Sequence, residues 1–145
     1  MKNLYDILDL STAEIDELIS LADDMIENPN KYSDACKNKI LGNEKMRGGN
    51  GTVNITSFAT PAEMNDKGRL FANITLKPGC SIGYHVHENE SELFYVMKGE
   101  AVYNDNGTEV PVSAGDVMIC PSGSGHAVAN NSAETTELCA VILYA

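Results

Sequence analysis

From Gly51 onward the chain is a succession of short apolar runs with no helical pattern between them, and this restricts the fold to an all-β architecture. The runs include TVNITSF (52–58), RLFANITLK (69–77), ELFYVMKG (92–99) and LCAVILY (138–144). They are rich in β-branched and aromatic side chains, which suit a pleated, half-buried surface. Turn formers separate them: KPG (77–79), NDNG (104–107), AGD (114–116) and SGSG (122–125). Short strands at this spacing make an antiparallel sandwich or barrel. A chain of 145 residues has room for one such domain around one core.

The first fifty residues have another texture. Ile15, Leu18, Ile19, Ala22, Met25 and Ile26 recur at helical spacing and make one apolar face. Ser11 followed by Glu14 fits a capping box, and Asn28-Pro29 fits a stop. Residues 31–50 carry Lys31, Lys37, Lys39, Lys45 and Arg47 among polar neighbours and read as a solvated connector. The expected organisation is a helical extension with a connector over 1–50 and a β barrel over 51–145. The apolar stripe of the helix suits a core face or the seam of a homodimer.

Charge narrows the partners. A net charge of −11 repels phosphate backbones and anionic lipid surfaces, so nucleic acid and membrane are not expected partners. No apolar run reaches the ~18 residues of a membrane span. Asp6 and Asp9 stand where a signal peptide would be basic and then apolar, so a cytoplasmic setting is expected. The four cysteines, Cys36, Cys80, Cys120 and Cys139, form no C-x-x-C pair and read as small buried apolar residues, not a disulfide frame.

The chemistry concentrates in YHVHENESE (84–92). The chain has three histidines, and two of them, His85 and His87, are separated by one residue. On a strand they share a face, so both imidazoles can reach one ion. A short turn would return Glu92 to the same place, and the third histidine, His126, follows a glycine-rich turn. Three neutral nitrogens and one carboxylate oxygen suit a divalent transition ion: Mn, Fe, Zn, Ni or Cu. Strand alternation further expects Ser81 and Gly83 inward with the histidines, and Phe94 and Val96 inward with Glu92. Phe58, Phe71, Ile119 and Val128 are candidate pocket liners. Glu88 and Glu90 read as turn acids. Tyr84, Tyr95 and Tyr103 could supply a phenol, and strand alternation puts Tyr84 opposite its histidine neighbours and Tyr95 opposite Glu92.

The full spacing resembles a known family. Gly79, five residues, His85, one residue, His87, four residues, Glu92, six residues and Gly99 is similar to the first cupin motif at every defined position. Gly115, five residues, Pro121, one residue, Gly123, two residues, His126, three residues and Asn130 is similar to the second, and fifteen residues lie between the two. The resemblance implies a double-stranded β-helix, a small jelly-roll barrel, with His85, His87, Glu92 and His126 as metal ligands. It implies a metal-dependent enzyme on a small oxygen-bearing, anionic substrate, by dioxygenase- or isomerase-type chemistry, with no catalytic residue assigned beyond the ligands. The alternative is a non-catalytic small-molecule binding or sensing module. Four protein ligands on an ion that prefers six leave two positions for a ligand's oxygens.

Overall fold

The computed structural model describes residues 40–145 and, of the first 39, only residues 11, 13, 16 and 20. Ala13, Asp16 and Ser20 are helical and exposed. The apolar stripe, the helix stop and Cys36 lie outside the described residues. Residues 38–145 form one compact unit.

Ten strands follow: β1 (Ile40–Glu44), β2 (Thr52–Ala59), β3 (Gly68–Leu76), β4 (Ser81–Val86), β5 (Glu90–Lys98), β6 (Glu100–Asp105), β7 (Thr108–Ser113), β8 (Val117–Cys120), β9 (Gly125–Ala129) and β10 (Thr136–Tyr144). They make two antiparallel sheets, one ordered β1-β2-β3-β10-β5-β8 and the other β4-β9-β6-β7. The architecture is mainly β, a two-sheet jelly roll, as the turn spacing predicts. The connector expected to run to residue 50 holds a strand, β1, paired with β2 from Ile40↔Thr56 to Glu44↔Thr52. It is an exposed edge strand, so its sequence carries no alternation to reveal it.

The core lies between the sheets. Val53, Ile74, Leu76, Phe94, Val96, Leu138 and Ala140 are all buried, each at 2% exposure or less. Phase along each strand decides what reaches this core. In β3 the inward set is Ala72, Ile74 and Leu76, so Phe71 faces out; in β8 it is Met118 and Cys120, so Ile119 faces out. Phe58, Phe71 and Ile119 therefore do not line the space between the sheets, although Ile119 borders a separate outer pocket with Val117 and Val110. Phe58 and Phe71 instead pack edge to face on the outer surface, ring centroids 5.1 Å apart. Val128 does point inward and is 1% exposed.

A second phase change matters more. The expectation that Ser81 and Gly83 face inward with His85 is overturned by a bulge in β4. Ile82 pairs with Val128 and His85 with His126, so three steps along β4 match two along β9. The extra residue flips the alternation. Ile82 enters the core at 2% exposure, and His85 still turns inward.

The bulge also creates a close approach. The turn between β1 and β2, including the short 3-10 segment Met46–Gly48, folds over β4. A Cβ on Gly83 would strike the carbonyl oxygen of Arg47 and come within 2.8 Å of the Gly49 nitrogen. Backbone cannot yield as a flexible side chain can. Gly83→Ala is therefore expected to lift this turn and cost about 1–3 kcal/mol, read as a lower urea midpoint with an unchanged slope. A midpoint equal to that of the unmodified protein would show that the turn adapts freely. The four motif glycines, Gly79, Gly99, Gly115 and Gly123, all take positive φ, from 78° to 102°, where a side chain is strained.

Candidate metal centre

The four predicted ligands come from three strands and one turn. His85 on β4 and His126 on β9 are directly paired across the four-stranded sheet. His87 lies just past the end of β4 and is tied to the Pro121–Ser124 turn: its N–H donates to the Ser124 carbonyl at 3.1 Å, and its carbonyl accepts from Gly123 at 2.7 Å. Glu92 comes from β5 in the facing sheet. Asn89, at φ 58°, makes the bend that reverses the chain between His87 and β5. One ligand atom from each of the four lies within 4.8 Å of every other.

The pairwise distances are tight. His126 Nε2 lies 2.9 Å from Glu92 Oε2, 3.0 Å from His87 Nε2 and 3.3 Å from His85 Nε2. Glu92 Oε2 is 3.1 Å from His87 Nε2 and 3.8 Å from His85 Nε2. Metal–donor bonds of about 2.0–2.1 Å place neighbouring donors roughly 2.9–3.4 Å apart at octahedral to tetrahedral angles. Most of these spacings fall in that range.

The outer hydrogen bonds fix which nitrogens face inward. His85 Nδ1 lies 2.9 Å from the Gly83 carbonyl, and His87 Nδ1 lies 2.7 Å from Glu90 Oε1. Both partners accept only, so both Nδ1 atoms carry the proton, and both Nε2 atoms turn lone pairs inward. His126 Nδ1 meets the Tyr103 hydroxyl at 3.1 Å, which serves either tautomer. His126 thus brings at most one inward N–H to a point faced by two imidazole lone pairs and a carboxylate. One proton satisfies one of those acceptors. A cation satisfies all of them, and the donor set fits a divalent ion.

With the imidazoles protonated instead, burial acts to raise the Glu92 carboxyl, but hydrogen bonds from His126 and His85 and the charges of His126 and His87 outweigh it and hold the group at about 2, so in that state too Glu92 is held as a carboxylate by positive charge beside it. Glu92 is a carboxylate over the whole physiological range. Burial pushes the Tyr103 phenol well up, with Cys120, Asp105 and Glu92 adding to the effect, so it stays protonated beside His126. Phe94 stacks on the His126 ring at 5.2 Å and 13°.

Of the other residues singled out by sequence, Tyr84 and Tyr95 face outward and Glu88 is exposed. Cys80 and Cys120 are buried and Cys139 half-buried, and all three are free thiols. Glu90 is the correction. It begins β5 and is bound to both His87 and Arg69. Arg69 holds its carboxyl at about 2 against the upward effect of burial, and the His87 bond adds to the lowering.

His85 and Glu92 open onto a cavity of about 90 Å³ between the sheets. Ile55, Ile74, Ile82 and Ile142 supply its apolar wall; Arg47 and Arg69 also line it. Sequence reading missed both arginines, which reach the site from the β1–β2 turn and from β3. Arg69 is bound bidentately by Glu90, at 2.6 and 2.7 Å. Among the described residues Arg47 has no carboxylate partner.

Comparison with known proteins places this geometry in context. A family model described as "Cupin domain" matches residues 72–142. The chain is 44% identical over 98 residues to a protein named "Oxalate-binding protein" from Thermotoga maritima, spanning 68% of this chain and 81% of that one. The crystal structure of a predicted oxalate decarboxylase from Thermotoga maritima superposes with a TM-score of 0.74 at 39% identity, covering 76% of this chain and 96% of that one. A sugar phosphate isomerase from Silicibacter pomeroyi shares the fold at a TM-score of 0.56 and 21% identity, over 64% of this chain and 60% of that one.

Proposed function

The chain belongs to the cupin family, and from that premise we propose that it holds one divalent transition ion on His85, His87, Glu92 and His126 and uses it to bind a small carboxylate anion of the oxalate class. One observation carries the reading. Two of the four clustered ligands, His85 and Glu92, line a cavity whose lining also includes Arg47 and Arg69.

Size and charge support the ligand class. A cavity of about 90 Å³ is far below the roughly 300–1,000 Å³ of pockets for drug-sized molecules. Arg69 is offset by Glu90, so Arg47 in the lining and a donor set that carries only one carboxylate are what favour an anion. A bound divalent ion would supply Lewis acidity toward the oxygens of a carboxylate. The residues of the chain do the rest. Arg47, which lines the cavity and has no carboxylate partner among the described residues, can supply a fork of N–H donors of the kind that suits a carboxylate. The four isoleucines exclude water and strengthen that attraction. The relatives named for oxalate agree with this chemistry, and they are the reason to try oxalate first.

Binding and turnover are separated by one experiment. Metal-loaded protein is titrated with oxalate by calorimetry, and the same mixture is followed for carbon dioxide release. Saturable, metal-dependent binding is expected. Metal-dependent carbon dioxide release would extend the reading to an enzyme that breaks the carbon–carbon bond of the anion, in place of the dioxygenase- or isomerase-type chemistry that the sequence suggests. No binding of oxalate or of related small carboxylates would remove it. Arg47→Ala is expected to weaken oxalate roughly tenfold or more, about the worth of one charge-assisted pair, while metal content stays at that of the unmodified protein. Equal oxalate affinity in the variant would take Arg47 out of the site.

Among the described residues no helix is long and apolar enough to cross a membrane. The cytoplasmic setting, the homodimer and the exclusion of nucleic acid and membrane partners are proposed on the sequence alone.

A further inference from the structure

Glu90 is the centre of an outer chain of bonds that ends on a ligand. Its Oε1 accepts from His87 Nδ1 at 2.7 Å and from Arg69 Nη2 at 2.7 Å; its Oε2 accepts from Arg69 Nε at 2.6 Å. His87 is 1% exposed, while the side chains of Glu90 and Arg69 are 14% and 38% exposed. The chain therefore runs from solvent to the buried imidazole. The bend at Asn89 makes it possible, since it returns Glu90 to His87 three residues on. Asn89 N–H is itself held by Ser122 Oγ at 2.9 Å, and its carbonyl accepts from Ala145 at 2.9 Å.

We propose that Glu90 is a positioning residue: it fixes the tautomer and ring orientation of His87 and so sets how tightly the centre holds its metal, with Arg69 keeping Glu90 in place. The three histidines are held differently. His85 leans on a backbone carbonyl and His126 on a phenol; only His87 leans on a charged group. A carboxylate on Nδ1 makes the distal nitrogen a stronger donor than a carbonyl does. The bidentate Arg69 contact removes the freedom of the Glu90 carboxylate to rotate away. Arg69 is thereby committed to Glu90, whereas Arg47, the other arginine of the cavity lining, has no carboxylate partner among the described residues.

The inference rests on the metal reading above, and the test keeps the two apart. In metal-free protein, imidazole nitrogen shifts from NMR report the His87 tautomer directly. The unmodified protein is expected to show the proton on Nδ1, and Glu90→Ala a mixture of tautomers. The dissociation constant for Mn2+ is then measured by chelator competition, and Co2+ is used as an optical probe of ligand geometry. Glu90→Ala is expected to weaken Mn2+ by about 10–100-fold and to shift the Co2+ bands. Glu90→Gln, which keeps an acceptor but no charge, should fall between. Glu88→Ala, at an exposed neighbour, serves as control and should change neither. An unchanged His87 tautomer in Glu90→Ala overturns the inference whatever the metal does. So does a Mn2+ affinity within twofold of the unmodified protein. If the unmodified protein takes up no metal, the metal reading fails, and the tautomer alone decides whether Glu90 positions His87.

Discussion

His126→Ala is expected to remove the metal and the metal's contribution to stability in a single step. Its Nε2 lies within 3.3 Å of each of the other three ligand atoms. Alanine there leaves two imidazoles and a carboxylate with a gap where the shared neighbour stood. The loss also reaches Glu92, because the His126 hydrogen bond is the largest of the effects holding its carboxyl down against burial. With that bond gone, burial acts to raise the carboxyl and disfavours its charged, metal-binding form. Metal affinity is expected to fall more than about a hundredfold, beyond the 10–100-fold typical of losing an outer partner. The thermal consequence follows by linkage. Metal at a thousand times its dissociation constant stabilises the native state by about 4 kcal/mol, on the order of 10–20 °C in Tm for a domain of this size. Calorimetric scans with Mn2+ and with EDTA should therefore differ widely for the unmodified protein and coincide for His126→Ala. A metal-dependent shift that survives in the variant would show that His126 is not a ligand.

The centre was legible in the sequence for a simple reason. An H-x-H pair on a strand specifies one face through period-two alternation, and the bend over Glu88 and Asn89 returns Glu92 to the same side. His126 needed the motif spacing, since it arrives from β9 through strand pairing that no local pattern encodes. What alternation could not supply was phase across an irregularity. One inserted residue in β4 places Ile82 in the core beside His85, and nothing in SIGYHV marks the insertion except Gly83, a residue that bulges and turns use alike. Phe58, Phe71 and Ile119 failed for a related reason. Alternation says that neighbours oppose one another without saying which of them is inside.

The residues around the centre were hidden by distance. Arg69 and Glu90 are twenty-one positions apart and meet because β3 and β5 both pair with β10. Arg47 sits in a stretch that reads as a solvated basic connector, and it reaches the cavity only because glycines let its turn close over β4. Glu90 offered one local signal, its i, i+3 spacing from His87 across an Asn bend, and that signal is common to many solvated turns.

Phe94 is where fold and centre share one side chain, and Phe94→Ala carries the second large effect. Phe94 is 2% exposed on β5, paired with Ala140 on β10 and with Met118 on β8. Its ring lies flat on His126 and meets Tyr103 edge on, with centroids 6.5 Å apart. Both neighbouring strands hold its position, so the site cannot collapse easily, and truncation to alanine is expected to cost about 3–5 kcal/mol. Urea unfolding in EDTA reads this cost free of metal linkage, as a lower midpoint at constant slope. Phe94→Leu separates packing from positioning. Leucine restores much of the volume and should limit the loss to about 1.5 kcal/mol, yet it takes away the flat surface that confines the His126 ring. If stacking helps orient that ligand, Phe94→Leu will bind Mn2+ several-fold more weakly while remaining folded. An affinity within twofold of the unmodified protein would assign Phe94 to the core alone and leave the orientation of His126 to Tyr103 and to its strand partner His85.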